Sequence, residues 1–267
     1  MIFDGKGFAK AIEQEVKDRV QNLGKKIKIV SILVGDDPAS ELYTKLKKQA
    51  AERVGIEFEI VKIVDNSLSI VDLKQIIEEI GKREDVTGVM VQLPLPENFK
   101  GSTPKVLEAI PLDKDVDGLR WEESKIVPAT VRAVLSILKR VQDDDGAEIW
   151  NKRFVVVGAR GAVGRPMVHF LKQRGAEVSE VEWDSPEPTR MILEGEVMIS
   201  CVGKAGVVTG EMVQDGIIAI DVGSPKGDMT EEVYQKASIA LAVPGGVGPV
   251  TIASLMENAV EIGLCKR

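Results

Sequence analysis

The chain has little of the chemistry that proteins use for metals and disulfides. Of its 267 residues only two are cysteine, Cys201 and Cys265, and one is histidine, His169. Two cysteines do not make a disulfide framework, and they fit a reducing compartment, so a cytoplasmic location is expected. Two cysteines and one distant histidine do not supply a tetrahedral zinc set, so no metal site is expected. His169 falls inside an apolar helical pattern, a poor position for the base of a Ser/His/Asp triad, and a structural role is expected for it. Positive charge is also short: Lys and Arg total 35 against 42 Asp and Glu, a formal charge of −7, with no long basic block. Neither nucleic acid nor an anionic membrane surface is therefore an expected partner. No apolar run approaches membrane-spanning length, and Met1-Ile2-Phe3-Asp4-Gly5-Lys6 lacks the pattern of a signal peptide. Internal repeats and low-complexity tracts are missing as well.

What remains is an ordinary globular composition, 44% hydrophobic and 29% charged, enough for two modest domains or one large one. Strand and helix patterns alternate along it. Strands are expected at 27–34, 57–64 and 86–91, helices at 39–54 and 70–83, then a helix at 130–141 ending in the polar break Asp143-Asp144-Asp145-Gly146. A second series follows: strand 153–157, helix 163–174, strands 177–181, 196–202 and 216–222, and a last helix at 250–264. Alternation of this kind implies parallel sheets covered on both faces, an α/β architecture in two units.

Three segments carry candidate chemistry. In Val89-Met90-Val91-Gln92-Leu93-Pro94-Leu95-Pro96 the prolines lack the N–H that a ladder needs, so pairing stops near Gln92. That leaves a bifunctional amide at the carboxyl end of a strand, where open α/β sheets bind ligands, although a plain strand end with a Pro-rich loop reads the same way. In Val155-Val156-Val157-Gly158-Ala159-Arg160-Gly161-Ala162-Val163-Gly164 an apolar strand runs into a glycine turn and then a helix. Such turns let backbone approach a pyrophosphate at a helix N-terminus. The spacing is G-x-x-G-x-x-G rather than G-x-G-x-x-G, and a turn without a ligand stays open. Glu180, Glu182 and Asp184 near the next strand end are carboxylates suited to an adenosine ribose. In the third segment Asp37 and Pro38 begin a helix in which Leu42, Leu46, Ala50 and Val54 read as the inward stripe. Lys45 and Lys48 then point away from it, and Lys47 sits at its edge with Tyr43 and Ser40. Partial burial would make Lys47 a neutral amine fit for proton transfer; a solvated Lys47 is the other reading.

Taken in order, these segments resemble the bifunctional methylenetetrahydrofolate dehydrogenase/methenyltetrahydrofolate cyclohydrolase family. The resemblance covers nearly the whole chain. It runs from Asp4-Gly5-Lys6 and Val34-Gly35-Asp36-Asp37-Pro38-Ala39-Ser40 through Tyr43-x-x-x-Lys47, the Gln92 strand end and Lys114-Asp115-Val116-Asp117-Gly118. It continues in Ile199-Ser200-Cys201-Val202-Gly203-Lys204, Ile220-Asp221-Val222-Gly223 and Val243-Pro244-Gly245-Gly246-Val247-Gly248-Pro249-Val250-Thr251. The resemblance implies two α/β domains with a folate cleft between them. Residues 1–120 with the helix at 250–267 would form the folate-binding catalytic domain, and 121–249 a Rossmann-like, doubly wound dinucleotide-binding domain. It implies Lys47 as the catalytic lysine, Gln92 as its hydrogen-bond partner, Tyr43 stacked on the folate and Asp117 paired with the donor edge of the pterin. Pro244, Gly245 and Gly246, in a loop running to Pro249, would line the cleft. Gly158, Ala159, Arg160, Gly161, Gly164, Val202, Gly203, Ser224 and Thr251 would hold the nicotinamide cofactor. The implied function is oxidation of methylene-tetrahydrofolate and hydrolysis of the methenyl product to 10-formyl-tetrahydrofolate, in one-carbon metabolism and purine biosynthesis, by a homodimer without metal.

The chain departs from the family pattern on the nucleotide side. The family's Gly-Arg-Ser is Gly158-Ala159-Arg160 here, and its Cys-His-Ser is replaced near Val181-Glu182-Trp183-Asp184. NADP is the family default, but Ala159, Glu182 and Asp184 make NAD a candidate. Pro128-Ala129-Thr130 replaces Pro-Cys-Thr, and the stretches 118–128 and 221–243 are short. Competing readings are a cyclohydrolase with weak or lost dehydrogenase activity, a non-catalytic folate- or nucleotide-binding protein, and an unrelated Rossmann oxidoreductase.

Overall fold

A computed structural model describes residues 1–64, 68–99, 101–145 and 148–265. Helix α1 (Gly5–Leu23) leads to β1 (Lys28–Val34), α2 (Pro38–Val54), β2 (Glu57–Ile63), α3 (Ile70–Lys82) and β3 (Gly88–Val91). Two short helices, α4 (Thr103–Leu107) and α5 (Trp121–Ser124), precede the long α6 (Ala129–Asp145). Next come β4 (Arg153–Val157), α7 (Gly164–Gln173), β5 (Glu177–Val181), α8 (Pro188–Leu193), β6 (Val197–Ser200) and β7 (Ile218–Asp221). Helix α9 (Glu231–Lys236), β8 (Ile239–Leu241) and α10 (Val247–Cys265) follow. The chain divides into two compact units, one of residues 10–129 and 252–267, the other of residues 1–9 and 130–251.

The first unit holds a parallel sheet in the order β2-β1-β3. Its central strand β1 is buried from Ile29 to Val34, which is why it reads as an unbroken apolar run rather than an alternating one. Helix α3 starts on a capping box made by Ser69 and Asp72, and turns Leu73, Ile77 and Ile80 into the core beside Val30, Ile32, Val89 and Val91. Helix α2 begins as its sequence implies, with the Asp37 carboxylate accepting from the Ser40 N–H at 2.7 Å and Pro38 in the first turn.

The inward face of α2 differs from the expected stripe. Ser40, Thr44, Lys47, Ala50, Ala51 and Val54 are buried, whereas Leu42 and Leu46 are 55% and 38% exposed. Residues four apart drift about 40° around a helix at each step, so a row that is buried at Val54 reaches solvent by Leu42. Lys47 therefore lies in the middle of the buried face, not at its edge.

Other boundaries also moved. Asp143-Asp144-Asp145 belongs to α6 instead of breaking it, because burial of Val134, Leu138 and Val141 outweighs the poor helix propensity of aspartate; Gly146 lies outside the described residues. Helix α1 went unpredicted: its buried Ala9, Ile12 and Val16 have helical spacing, but Gly5 and Gly7 open it with weak propensity. Strand β8, three residues long, was also unpredicted. Helix α10 begins at Val247, so Val247, Gly248 and Pro249 are helical and the expected loop ends at Gly246. His169 is exposed on α7, whose buried face is formed by Pro166, Met167, Val168 and Leu171.

The second unit carries a five-stranded parallel sheet in the order β5-β4-β6-β7-β8. From β4 the chain moves outward to β5 and then crosses to β6 on the other side, which opens a crevice at the carboxyl ends of β4 and β6. Two fully buried carboxylates organise the loops there. Asp228 accepts from the Ser200 hydroxyl at 2.8 Å and from the N–H groups of Val202 and Lys204 at 2.8 and 2.9 Å. Asp221 accepts from Gly223, Asp228 and Met229 N–H groups and from the Tyr234 hydroxyl at 2.6 Å. Removing Asp228 strands three donors, of which the Ser200 hydroxyl is fully buried. Asp228→Ala is expected to destabilise this unit by about 2–4 kcal/mol, read as a lower urea midpoint; a loss under about 0.5 kcal/mol would show that the network is dispensable.

Candidate active site

The first unit brings Lys47, Gln92 and Asp117 together from three separate elements. Lys47 is only 8% exposed and donates from Nζ to Gln92 Oε1 at 3.1 Å. Asp117 Oδ2 lies 3.8 Å from the same Nζ, an ion pair too long for a hydrogen bond. Gln92 follows β3 directly. Its N–H reaches Ile32 O at 2.9 Å and its Nε2 donates to Leu93 O at 2.7 Å, which fixes the amide with its oxygen toward the lysine. Burial pushes the Lys47 pKa down from its ordinary 10.5, and the Asp117 carboxylate opposes that shift without cancelling it. Tyr43, one turn before Lys47 on the same helix, is half-buried.

Asp117 is held by a turn whose supports the sequence reading overlooked. Fully buried Asp115 accepts from Leu119 N at 2.9 Å, Arg120 N at 2.8 Å and the Ser124 hydroxyl at 3.0 Å. Burial raises the Asp115 pKa, and those donors resist the rise. Gly118 has φ 68°, and a Cβ there would lie 2.6 Å from the Pro128 backbone, so the turn after Asp117 admits only glycine. From α10, Asn258 Nδ2 donates to Val116 O and Val127 O, each at 3.0 Å. Asp115 was visible as an acidic residue four before Leu119, the spacing of a side chain that caps a turn. Asn258 left no local sign, because its partners are more than a hundred residues away.

In the second unit the glycine turn sits at the crevice end of β4. A Cβ on Gly164 would lie 2.1 Å from Gly158 O, and one on Gly158 would lie 2.8 Å from Cys201 O, so the turn closes on itself and on the end of β6. Val163 gives α7 no side-chain cap, but in its first turn Pro166 has no N–H and the Arg165 and Met167 N–H groups donate to Gly161 O and Val163 O at 3.0 and 3.1 Å, which leaves the Gly164 N–H to face an anion. These features fit a dinucleotide's pyrophosphate. Ala159 is buried; the Arg160 N–H donates to Glu182 Oε1 at 2.5 Å, and its guanidinium meets both Asp184 oxygens at 3.0 and 3.1 Å. Gly161 stands inside the turn, its N–H on Gly158 O. Val202 and Gly203 follow β6, and exposed Ser224 follows β7. Thr251 instead lies on α10 with its hydroxyl on Val247 O at 3.2 Å. Pro244, Gly245 and Gly246 follow β8, with Gly246 O where a Gly5 Cβ would fall. Burial and the nearby carboxylates raise the Cys201 thiol pKa, so it is no nucleophile. Among the described residues no three His, Cys, Asp or Glu side chains group to hold a metal, and no helix is long and apolar enough to cross a membrane.

Known proteins resemble this chain along its length. Residues 3–117 match the tetrahydrofolate dehydrogenase/cyclohydrolase catalytic domain, and residues 128–266 match the NAD(P)-binding domain of the same family. The bifunctional protein FolD of Staphylococcus carnosus is 37% identical over 279 residues, covering 97% of this chain and 95% of that protein. The crystal structure of the bifunctional FolD dehydrogenase/cyclohydrolase from Campylobacter jejuni superposes with a TM-score of 0.89 at 33% identity, over 100% of this chain and 99% of that one. The Trypanosoma brucei enzyme, solved with NADP cofactor and inhibitor, gives 0.87 at 29% identity over 99% and 97%. With both family domains matched across almost its full length, the chain belongs to the tetrahydrofolate dehydrogenase/cyclohydrolase family.

Proposed function

We propose that this protein is a bifunctional NAD(P)-dependent methylenetetrahydrofolate dehydrogenase and methenyltetrahydrofolate cyclohydrolase of one-carbon metabolism. The observation that carries the reading is Lys47, an amine buried in the core face of α2, hydrogen-bonded to Gln92 and opposed by a single carboxylate. The turn of Gly158, Gly161 and Gly164 would hold a nicotinamide dinucleotide, which would supply the acceptor for the hydride of the methylene carbon. Hydrolysis then belongs to the chain's own residues. Neutral Lys47 takes a proton from the water that attacks the methenyl cation, and Gln92 Oε1 holds the resulting ammonium. Asp117 accepts hydrogen bonds from the pterin's donor edge and supplies the charge that favours the ammonium. Tyr43 stacks on the folate, and the family pattern assigns Pro244, Gly245 and Gly246 to the folate surface. Val202, Gly203, Ser224 and Thr251 are assigned to the cofactor in the same way. The protein works as a cytoplasmic homodimer in this reading.

Lys47→Met is expected to abolish methenyl-tetrahydrofolate hydrolysis and to leave folding intact, because methionine fills a similar volume without a charge to desolvate. Hydrolysis at near the wild-type enzymatic rate by this variant would refute the role of Lys47.

The hydrolysis rate should rise with pH through an apparent pKa below the ordinary lysine value of 10.5, since the neutral amine is the active form and burial lowers its pKa. Stability has the same sign. Between the folded and unfolded pKa values the unfolded chain binds more protons at Lys47, so its contribution to stability increases as pH rises and disappears in Lys47→Met. A pH-independent hydrolysis rate across pH 6–10 would remove the lysine from the proton transfer.

Light scattering at micromolar concentration is expected to give twice the chain mass of 29.0 kDa. A single 29.0 kDa species would count against the dimer.

A further inference from the structure

The glycine turn and the end of β5 are joined by one contact with consequences for the nucleotide. Glu182 Oε1 accepts from the Arg160 main-chain N–H at 2.5 Å, and the Glu182 N–H donates to the Ser185 hydroxyl oxygen at 2.9 Å. The carboxylate is thereby fixed at both its tip and its backbone. Its second oxygen, Oε2, has no protein hydrogen bond among the described residues. Glu182 stands just past the second strand of the unit's sheet, roughly twenty residues after the turn, where a carboxylate can accept from a ribose hydroxyl. The Arg160 guanidinium is turned onto Asp184, and Glu180 is paired with Lys172 at 2.7 Å. Arg165 in the first turn of α7 already takes part in another interaction. An anionic group at the ribose would therefore meet Glu182 first, with Asp184 answering the charge of Arg160.

We propose that Glu182, fixed by the Arg160 N–H, accepts the adenosine ribose 2′-hydroxyl and makes this enzyme select NAD over NADP. The assignment rests on the dehydrogenase reading above and adds its nucleotide. A ribose hydroxyl donates to Oε2, whereas a 2′-phosphate has no proton to give at neutral pH and brings like charge to a fixed carboxylate. The Arg160–Asp184 pair is exposed on both sides, so it holds the guanidinium only weakly, and Asp184 is the lesser determinant.

Calorimetric titration of the whole protein with NAD⁺ and with NADP⁺ tests this without catalysis. NAD⁺ should bind about tenfold or more tightly than NADP⁺ at low salt. The ratio should narrow as NaCl is added, because salt screens a repulsion; a phosphate gripped by Arg160 would instead weaken in salt, so the sign of the trend separates the two cases. Glu182→Gln should bring the two affinities to within about threefold of each other. Asp184→Asn should tighten NADP⁺ by about two- to threefold and leave NAD⁺ within error. Tighter binding of NADP⁺ by the wild type, a ratio that widens with salt, or an unchanged ratio in folded Glu182→Gln would overturn the proposal. If Glu182→Gln fails to fold, judged by circular dichroism, the wild-type salt trend decides. Hydrolysis of methenyl-tetrahydrofolate without nucleotide is measured on the same wild-type sample. Hydrolysis with no selectivity for NAD⁺ refutes Glu182 alone, and loss of both hydrolysis and nucleotide binding refutes the enzyme reading as well.

Discussion

An amine in a dry place is the constraint around which the catalytic unit is arranged. Burying Lys47 removes it from water, and a lysine so placed either finds partners or gives up its proton. The unit supplies one neutral acceptor at hydrogen-bond distance and one carboxylate slightly too far to bond. A closer carboxylate would lock the ammonium, and none at all would leave a group that never charges. The intermediate arrangement fits the proton transfer proposed for Lys47. The rest follows from holding the three residues still. Strand β3 and the Leu93 carbonyl aim the glutamine, Asp115 and Gly118 shape the aspartate's turn, and the small residues of α2 let the lysine lie against the sheet.

The two units handle buried charge differently. Around Lys47 the partners are few and the charge is poised. Around Asp221 and Asp228 nearly every donor is backbone N–H or hydroxyl, and the carboxylates serve as rigid hubs for the loops that follow β6 and β7. Carboxylates satisfied by several fixed donors are good fasteners. Catalytic adaptability and loop rigidity are thus separated between different buried groups.

Much of this was legible along the chain, where local chemistry decides the outcome. The Asp37-Pro38 start of α2, the apolar run of β1 and the strand-turn-helix around Gly158 each depend on neighbours in sequence, and each stands where its pattern places it. Lys47 was singled out, but for the wrong position on its helix. Leucines are read as inward by default, and here Leu42 and Leu46 face solvent while serine, threonine and lysine face the sheet. That inversion is what a functional face does to a hydrophobic pattern. Helix α1 was hidden by its opening glycines and β8 by its brevity. The role of Asn258 was not readable at all, since a single amide in an apolar helix says nothing about carbonyls far upstream.

That amide has a consequence for how the protein is made. Asn258 joins α10 to the carbonyls on either side of the Asp117 turn, and the unit that contains them is assembled from residues 10–129 and 252–267. Synthesis is vectorial, and domains ordinarily fold as they emerge. Here the later-made residues 130–251 can complete their own sheet while the earlier-made ones still wait for a clamp near the C-terminus. The carboxylate beside Lys47 is secured only after residue 258 has been made, so a chain cut short before it retains the sheet of the second unit but lacks a finished Asp117 turn.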